Sequence, residues 1–422
     1  MRILLIGGGG REHALAWKLS QSPLLSRLDW APGNGAVVPL CASVPISPED
    51  VDALVAHAVK TKPDLVVVGP EVPLALGISD ILSKHGISVF GPSQNAAKLE
   101  SSKRFAKEFC DRHNIPTSNY WAFDNAPAAY SWLASYGGPF PLVLKADGLA
   151  AGKGVLICKD AAEARGGIAS VMEEKEFGSA GETLVVEEFL RGEEVSVLAF
   201  CDGKKALLMP PARDYKRALD HDDGLNTGGM GAYCPSSRVS KELQEEVVKK
   251  IMEPVLSGMA EEGAPFRGVL YAGLMLTESG PKVLEFNCRF GDPETQAVLP
   301  RISSDLLPVL MACARGDLSD VELSLSSESS VVVALCSEGY PGHYPKGREI
   351  TGLAEAEKSM GVLVFHAGTK REGGRLLTAG GRVINVVALA SDIATARRRA
   401  YEAAERIRFE GMHYRKDVAE NI

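Results

Sequence analysis

The sequence lacks the signatures of several common classes of protein. Its 422 residues include eight cysteines, but no two lie within four residues of each other, which excludes the CxxC motifs of zinc and redox sites. No apolar run approaches the roughly 18 residues of a membrane span. The 54 acidic and 46 basic side chains give a net charge of -8, so the chain lacks the basic footprint of a general nucleic-acid binder. The GxSxG and HExxH motifs of serine hydrolases and zinc proteases are also missing.

The remaining composition is typical of a folded protein with several domains. Hydrophobic residues make up 45% and charged residues 24%, which excludes long disorder, and at about 150 residues per domain the length indicates roughly three domains. Cys158, Cys201 and Cys336 lie within apolar runs, so we interpret them as reduced core thiols in a reducing compartment. The N-terminal MRILLIGGGG reaches glycine after few apolar residues and is interpreted as a first β-strand rather than a signal peptide. We therefore expect a cytoplasmic protein without membrane or nucleic-acid partners.

The first hundred residues alternate between short apolar runs and helical patterns. The runs Ile3–Ile6, Leu65–Val68 and Ile87–Phe90 are predicted strands, each followed by a glycine-containing turn, and Leu74 to Lys84 is predicted as one helix. Continuous apolar strands between helices indicate a parallel sheet covered on both faces, whose ligands bind beyond the carboxyl ends of the strands. We expect the turns GGGG, PGNG, GPE and GPS at that edge.

Four glycines, Gly7–Gly10, follow the first strand and open a helix. Backbone N–H groups at such a helix start can bind a phosphate. The dinucleotide fingerprint GxGxxG is matched only in part, because its third glycine is replaced by His13, although Asp29 lies roughly where a ribose-binding acid belongs. Three interpretations remain open: a phosphate or substrate site, an NAD(P) site, and a structural turn.

A second glycine-rich segment carries two lysines. Lys145 ends an apolar strand, and Lys153 lies on a loop of small residues before the strand Val155–Cys158. Such a loop can close over a polyphosphate, but it is not a Walker A motif, because its glycines are one residue too close and no Ser or Thr follows the lysine. The acidic pair Glu193 and Glu194 follows the next strand, where a carboxylate can bind ribose hydroxyls. Solvated surface charges are the alternative for all four side chains.

The segment from Leu284 to Phe290 alternates strictly between apolar and polar residues. In a strand, Leu284 and the other apolar residues share one face, and Glu285, Asn287 and Arg289 share the other. Carboxylate and amide oxygens suit Mg²⁺, which keeps waters and phosphate oxygens as its other ligands. Arg289 would then meet anionic oxygens nearby. The alternative is an ordinary half-buried strand with its polar face in water.

A third glycine-rich segment, Asn226–Tyr233, follows the charged stretches 214–217 and 220–223. The second stretch does not begin an EF-hand, because Gly224 occupies the fifth position of the loop. Glycine-rich backbone beside basic residues indicates close approach to a ligand, and a mobile structural loop is the alternative.

Together these segments resemble one family. The sequence is similar to the glycinamide ribonucleotide synthetases, or phosphoribosylamine–glycine ligases, of the ATP-grasp superfamily. The matching stretches run through nearly the whole chain in one order: GGREHALAWKL (9–19), APGN (31–34), VGPE (68–71), VLKADGLAAGKGV (143–155), EEFL-GEE (187–194), NTGGMGAY (226–233), GLMLT (273–277), EFNCRFGDPETQ (285–296) and FHAGTK (365–370).

The resemblance implies an α/β fold of three parts. They are a Rossmann-like N-terminal domain (1–103), an ATP-grasp body (104–325) with a mobile subdomain at about 120–192, and a small α+β C-terminal domain (326–422). It also implies ATP-dependent ligation of glycine to 5-phosphoribosylamine through a glycyl phosphate, in purine biosynthesis. Because the chain ends soon after its final helix, we expect an enzyme with this single activity, and we expect a monomer.

The resemblance implies roles for individual residues as well. Glu285 and Asn287 would bind Mg²⁺ or Mn²⁺, and the catalytic residues would be Arg289, Lys153 and Asp292. The residues implied for ATP are Lys103, Lys145, Gly152, Lys153, Glu187, Glu188, Phe189, Leu190, Glu193 and Glu194. The residues implied for the other substrates are Gly9, Gly10, Arg11, Gly33, Asn34, Glu71, Asp214, Lys216, Asn226, Gly228, Gly229, Arg289, Gly291 and Asp292.

Two positions depart from the family pattern. Tyr215 replaces a usual His, which puts in doubt a proton-transfer or substrate role for that side chain, and Leu225 replaces a usual Pro. Three rival functions are considered. The missing third glycine disfavours an NAD(P)-dependent dehydrogenase, and the intact Glu285 face disfavours a non-catalytic nucleotide-binding protein. The third rival is an ATP-grasp ligase that acts on another acid and amine, and only substrate trials distinguish it from a glycinamide ribonucleotide synthetase.

Overall fold

The N-terminal part of the molecule is a doubly wound parallel sheet. The computed structural model describes residues 1–149, 154–420 and 422. Five strands form a parallel sheet, as the sequence predicts, and they pair in the order β3-β2-β1-β4-β5. The strands are β1 (Arg2–Gly7), β2 (Arg27–Pro32), β3 (Cys41–Ser43), β4 (Leu65–Val68) and β5 (Val89–Phe90). The helices are α1 (Gly10–Leu19), α2 (Val51–Thr61), α3 (Glu71–Ala75) and α4 (Ile78–Lys84).

Both faces of this sheet are buried. Ile3 and Leu5 of β1 pack in one apolar cluster with Leu15 of α1, whereas Leu4 and Ile6 pack in a second cluster with residues of α2 and α4. Burial on both sides requires a continuous apolar strand, which is the pattern that the sequence shows. The parallel alignment brings the turns after β1, β2, β4 and β5 to one edge, as expected.

The single helix predicted from Leu74 to Lys84 is wrong. The chain forms two helices there, since α3 ends at Ala75 and α4 begins at Ile78. Between them Gly77 has a φ of 82°, a left-handed conformation that interrupts a helix and that glycine adopts without strain.

The central part contains two antiparallel sheets, in the orders β6-β9-β7-β8 and β11-β10-β16-β17. The strands from here to the C-terminal part are β6 (Tyr120–Phe123), β7 (Leu142–Ala146), β8 (Val155–Cys158), β9 (Leu184–Glu188), β10 (Glu193–Asp202), β11 (Ala206–Leu208), β12 (Arg213–Asp214), β13 (Arg217–Leu219), β14 (Asp223–Asn226), β15 (Gly231–Cys234), β16 (Arg267–Thr277) and β17 (Gly280–Asn287). The helices are α5 (Lys98–Ser101), α6 (Lys103–Arg112), α7 (Ala126–Ser135), α8 (Ala161–Ile168), α9 (Lys241–Val247), α10 (Glu253–Glu261), α11 (Glu294–Val298) and α12 (Leu306–Arg315).

The C-terminal sheet includes strands from the central part of the chain. The elements after residue 326 are β18 (Ser329–Cys336), α13 (Leu353–Glu357), β19 (Val362–His366), β20 (Thr369–Glu372), β21 (Arg375–Thr378), β22 (Arg382–Ala390) and α14 (Ile393–Ala404). The sheet order is β12-β15-β18-β22-β19, and β15 pairs antiparallel with β18 through Tyr233 opposite Val331. The glycine-rich segment 226–233 is therefore anchored to the C-terminal sheet, and the domain limits given above stay predictions.

The cysteines lie mainly inside the molecule. All eight are free thiols, and Cys158, Cys201 and Cys336 are buried, as their apolar surroundings predict. Within the described parts of the chain, no helix combines the length and the apolar character that crossing a membrane requires.

Candidate active site

A cavity of about 700 Å³ lies among the N-terminal unit, the two central sheets and β22. Of the residues predicted from the sequence, its lining contains Arg11, Glu71, Lys103, Lys145, Glu187, Glu188, Phe189, Leu190, Glu193, Glu194, Asp214, Lys216, Asn226, Gly228, Glu285, Asn287, Arg289 and Asp292. Gly152 and Lys153 fall outside the residues that the structure describes. The predicted residues that lie outside the lining formed by the described residues are Gly9, Gly10, Gly33, Asn34, Gly229 and Gly291.

The polar face of β17 opens into this cavity, but the strand does not alternate throughout. A β-bulge occurs opposite Gly273 and Leu274, where Glu285 pairs with the first and Val283 with the second. Leu284 is the extra residue, so Val283 replaces it in the apolar core, and the prediction that placed Leu284 on the core face is wrong. The freed carbonyl of Leu284 accepts a hydrogen bond from Lys145 Nζ at 3.0 Å.

Glu285 lies among positive charges. Lys216 Nζ is 3.5 Å from its Oε1 and 3.3 Å from Oε2 of Glu194. Burial by itself would raise the pKa of Glu285, but the charges of Lys216, Lys145 and Lys103 outweigh it and lower the pKa to about 2. The carboxylate is therefore ionised at neutral pH, as a metal ligand has to be.

Asn287 is two residues along the same strand face and also lines the cavity. A carboxylate and an amide at this spacing supply two hard oxygen ligands, which fit Mg²⁺ or Mn²⁺ if phosphate oxygens and waters complete the coordination. The described residues contain no group of three or more His, Cys, Asp or Glu side chains that could hold a metal ion by themselves.

Two lysines share one buried carboxylate at the floor of the cavity. Lys145 Nζ lies 2.7 Å from Oε1 of Glu187, and Lys107 Nζ lies 2.8 Å from its Oε2. Glu187 is only 2% exposed; burial opposes ionisation, but the two ammonium groups lower its pKa. Its side chain thus holds the lysines, and only its backbone remains for contact with an adenine. The sequence analysis missed Lys107, which lies on α6 without any motif around it.

The neighbouring acidic residues Glu193 and Glu194 have different partners. Glu193 Oε2 is 3.0 Å from Arg238 Nε, whereas Glu194 turns towards Lys216. Lys103, at the start of α6, donates to the carbonyl of Gly148 at 2.8 Å, which links this helix to the beginning of the lysine-bearing loop. Both carboxylates and Lys103 line the cavity, as predicted from the sequence.

Arg289 forms ion pairs with two carboxylates, those of Glu71 and Glu100. Its Nη2 lies 3.0 Å from Glu100 Oε1, and its Nε lies 3.4 Å from Glu71 Oε2. The second oxygen of Glu100 accepts from the backbone N–H of Cys288 at 2.7 Å. Burial raises the pKa of Glu100 to about 7, although Arg289 acts in the opposite direction. Glu100 was missed because nothing in its local sequence marks it and its partners lie almost 190 residues away.

A second acidic cluster lies beside Lys216. Burial raises the pKa of Asp214 to about 7 despite that neighbouring ammonium group. Nearby, Ser196 Oγ is 2.9 Å from the hydroxyl of Tyr271 and 3.4 Å from Oε1 of Glu294. Tyr271 and Glu294 also line the cavity and were not predicted.

The glycine-rich turn after β1 is filled by the chain itself. The carboxylate of Glu12 accepts from the N–H of Gly9 at 2.7 Å and from Arg11 Nε at 2.5 Å. A Cβ at Gly7 or Gly69 would collide with this side chain. An internal carboxylate therefore occupies the place where a dinucleotide phosphate would bind, which favours the structural-turn interpretation over an NAD(P) site.

The predicted residues outside the lining contact other parts of the chain, and their substrate role stays a prediction. A Cβ at Gly10 would collide with Asn385 of β22, and Asn34 Nδ2 donates to the carbonyls of Gly8 (3.1 Å) and His366 (2.8 Å). These residues join the N-terminal unit to the C-terminal sheet. A Cβ at Gly33 would touch the side chains of Ser43 and Trp30.

The glycines nearest the end of β17 are enclosed in a similar way. A Cβ at Gly291 would press on Glu294, and one at Gly229 would press on Pro293. Arg382 Nη1 donates to the carbonyl of Gly228 at 2.6 Å and to that of Asp292 at 2.9 Å, and its Nη2 lies 3.0 Å from Asp292 Oδ2. The C-terminal sheet therefore contributes an arginine that joins two predicted substrate segments.

Tyr215, the departure noted above, does not face the cavity. Its ring lies between two arginines, with Arg415 Cζ at 4.8 Å and Arg213 Cζ at 5.8 Å from the centroid, and its hydroxyl accepts from the N–H of Ala419 at 2.9 Å. The substitution therefore alters packing against the C-terminal segment and leaves the polar lining of the cavity intact.

Family models match along most of the chain. The phosphoribosylglycinamide synthetase N domain matches residues 1–100, its ATP-grasp (A) domain residues 101–295, and its C domain residues 330–421. The chain belongs to the phosphoribosylglycinamide synthetase family. The fold class and the resemblance inferred from the sequence are thereby confirmed.

Several proteins of known name are similar to this chain over almost its whole length. A phosphoribosylamine–glycine ligase of Brucella melitensis biotype 1 is 48% identical over 418 residues, which cover 99% of this chain and 97% of the relative. The trifunctional purine biosynthetic protein adenosine-3 of Gallus gallus is 50% identical over 420 residues, but this chain spans only 42% of its length. The crystal structure of phosphoribosylamine–glycine ligase from Thermotoga maritima superposes with a TM-score of 0.85 at 32% identity, covering 99% of this chain and 100% of that one.

Proposed function

We propose that this chain ligates glycine to 5-phospho-D-ribosylamine with ATP, giving glycinamide ribonucleotide, ADP and phosphate through a glycyl phosphate, in de novo purine biosynthesis. One observation carries the proposal. In a member of this family, the oxygen ligands Glu285 and Asn287, the guanidinium of Arg289 and two lysines, Lys103 and Lys145, converge on a single cavity.

The chemistry requires activation of a carboxylate. A free carboxylate is a poor acylating agent, so its oxygen first attacks the γ-phosphorus of ATP and ADP leaves. Lys103 and Lys145 neutralise charge on the transferred phosphoryl group, and Arg289 stabilises the acyl phosphate. The amine then attacks the carbonyl carbon, phosphate leaves and the amine nitrogen loses a proton. No covalent enzyme intermediate is needed.

We assign the divalent cation to Glu285 and Asn287 and take it to be Mg²⁺ or Mn²⁺. A bound cation would neutralise the phosphate charge during transfer. The ionised state of Glu285 and the oxygen donor set support this assignment. We further assign residues 187–190 to the adenine and Glu193 or Glu194 to the ribose. Asp292 and Lys153 complete the proposed catalytic set, the latter from the sequence alone.

Cellular setting and assembly are also inferred. Eight free cysteines suit a reducing compartment, so we propose a cytoplasmic enzyme. We propose a monomer acting on small-molecule substrates, and sedimentation equilibrium tests it, since a monomer has a mass of 45.0 kDa.

The deciding experiment measures ADP release with a panel of acids and amines. We expect ADP above a slow leak only when glycine, phosphoribosylamine and Mg²⁺ are present together. Faster release with another acid and amine would replace the proposed substrates. ATP binding without ADP release under every combination would favour a non-catalytic nucleotide-binding protein, and oxidation of NAD(P)H at a comparable rate would favour a dehydrogenase.

A further inference from the structure

The hairpin formed by β13 and β14 presents charged residues to the cavity. Lys216, Arg217 and Asp222 of this hairpin line it, together with Asn226 at the end of β14. The turn Asp220–Asp222 between the strands has an unfavourable backbone.

Two consecutive non-glycine residues of that turn adopt left-handed conformations. His221 has a φ of 60° and Asp222 a φ of 55°. Such conformations are unfavourable for residues other than glycine, and they persist only where surrounding contacts impose them. The turn therefore needs support from outside the hairpin.

That support comes from residues 413–420, the segment after α14. The guanidinium of Arg415 is fully buried; its Nη1 donates to Asp222 Oδ1 at 2.7 Å and to the carbonyl of Arg217 at 3.2 Å. Its Nε and Nη2 bind both oxygens of Asp417, at 2.7 and 2.5 Å. One arginine thus joins the strand β13, the turn and the segment.

Backbone groups join the same two pieces. The N–H of Lys416 donates to Asp220 Oδ1 at 2.7 Å, and the N–H of His221 donates to Asp417 Oδ2 at 2.8 Å. With the Arg415 contact to Asp222, each of the three turn residues is bound to the segment. Asp417 is bound by both the arginine and the turn, and those contacts lower its pKa to about 2 although burial acts in the opposite direction.

We propose that Arg415 is a positioning residue, through which the segment 413–420 holds the β13–β14 hairpin in the form that receives the phosphorylated co-substrate. The proposal rests on the function proposed above. Among the substrates other than ATP, the phosphorylated amine is the one that carries a phosphate. Arg217 at the start of the hairpin and Lys216 just before it bring two cations to the cavity, beside Arg213 of β12. Arg415 itself is absent from the lining formed by the described residues, so it acts through these neighbours.

The test compares steady-state kinetics of the full chain and its Arg415→Lys variant. An ammonium group cannot make the four contacts of the guanidinium, so the hairpin should lose its fixed form. We expect KM for phosphoribosylamine to rise by about tenfold or more while kcat changes by less than about threefold. The dissociation constant of a non-hydrolysable ATP analogue, measured by calorimetry, should stay within about twofold, because the ATP-facing strands β7 and β9 lie in another sheet. Asp417→Asn should move the same KM in the same direction, and it provides the test if Arg415→Lys does not fold.

Arg398 supplies the matched control. It lies on α14 with its side chain 66% exposed, so Arg398→Lys should leave all constants unchanged. A role in stability alone would lower the melting temperature and the active fraction of Arg415→Lys but leave KM of the remaining enzyme as in the wild type, and that result would overturn the positioning role. An increase only in the dissociation constant of the ATP analogue would also overturn the positioning role. Absence of wild-type turnover with these substrates would instead overturn the proposed function, and the positioning role with it.

Discussion

Glu285 is paired with Lys216, whose ammonium group lies 3.5 Å from the carboxylate. An ordinary surface glutamate would show neither the lowered pKa nor the convergence with Asn287 on one cavity. The residue therefore offers a direct test of the metal assignment.

Replacing Glu285 with Gln keeps the shape of the side chain and removes its charge. We expect turnover to fall by at least about a hundredfold, equivalent to about 2.7 kcal/mol of transition-state stabilisation, with partial recovery at raised Mg²⁺ or Mn²⁺. Because Glu285 is ion-paired with Lys216, the free energy of unfolding should fall as well, by on the order of 1 kcal/mol. Glu278→Gln, at the exposed turn before β17, is the control and should match the wild type in both measurements. Normal turnover with normal Mg²⁺ dependence in the Glu285→Gln variant would remove the metal assignment.

The carboxylate of Glu100 offers a second test, because it binds Arg289. Its carboxylate, 3.0 Å from Arg289, has a pKa of about 7, raised chiefly by burial, so its charge changes within the working pH range. Glu100→Gln removes the closer of the two carboxylates that bind Arg289, and we expect kcat to fall by about tenfold because the guanidinium loses its orientation. Glu100 and Asp214 both have a pKa of about 7, so the pH profile of kcat should show an inflection near pH 7 in the wild type that becomes shallower in the variant. An unchanged inflection would show that another group titrates there.

At the scale of elements, apolar patterning predicted β1, β4, β5 and β8, and the errors elsewhere follow from backbone geometry. The bulge at Leu284 and the break between α3 and α4 depend on hydrogen-bond register and on one φ angle, which alternation and periodicity do not report. The N-terminal cap of α14 is Asp392, whose carboxylate accepts from the N–H of Thr395.

Substitutions at two glycines test whether backbone conformation determines where these helices end. Gly77→Ala places a Cβ at a φ of 82°, and we expect the free energy of unfolding to fall by about 1–2 kcal/mol. Gly166→Ala lies inside α8 with no atom near its new Cβ, and it should raise that free energy by about 0.5–1 kcal/mol. Urea titrations measure the free energy of unfolding of both variants, and we expect their m-values to be unchanged. Destabilisation by Gly166→Ala as well would mean that loss of backbone freedom is not what separates the two sites.

At the scale of the whole molecule, buried polar groups join the N-terminal unit to the C-terminal sheet. His13 of α1 accepts a hydrogen bond at its Nδ1 from the N–H of His366, 2.7 Å away, and the two rings lie 5.4 Å apart. Burial lowers the pKa of His13 to about 3 and that of His366 to about 4, so both are neutral in the folded protein at neutral pH.

This junction makes the protein acid-sensitive. Both histidines have folded-state pKa values below their unfolded value of 6.5, so the unfolded chain binds more protons between about pH 6.5 and 3. Stability should therefore be complete above pH 6.5 and fall as the pH decreases, by on the order of 2 kcal/mol per histidine at pH 5. Urea midpoints at pH 5 and pH 7.5 measure the loss. His13→Asn keeps an acceptor but does not titrate, so its loss should be smaller, whereas an equal loss would assign the acid sensitivity elsewhere.

The sequence alone determined the local order of elements, the polar face of β17 and the family, because these depend on residue types at short spacing. Lys145, Glu285, Asn287 and Arg289 were found this way and all line the cavity. Only the tertiary structure decided which distant groups surround them. Glu100, Lys107 and Arg415 act through partners far along the chain, Glu12 fills the glycine turn that a nucleotide could otherwise use, and β12 and β15 join the C-terminal sheet. Burial, ion pairing and strand order arise from chain topology, which a pattern of neighbouring residues does not encode.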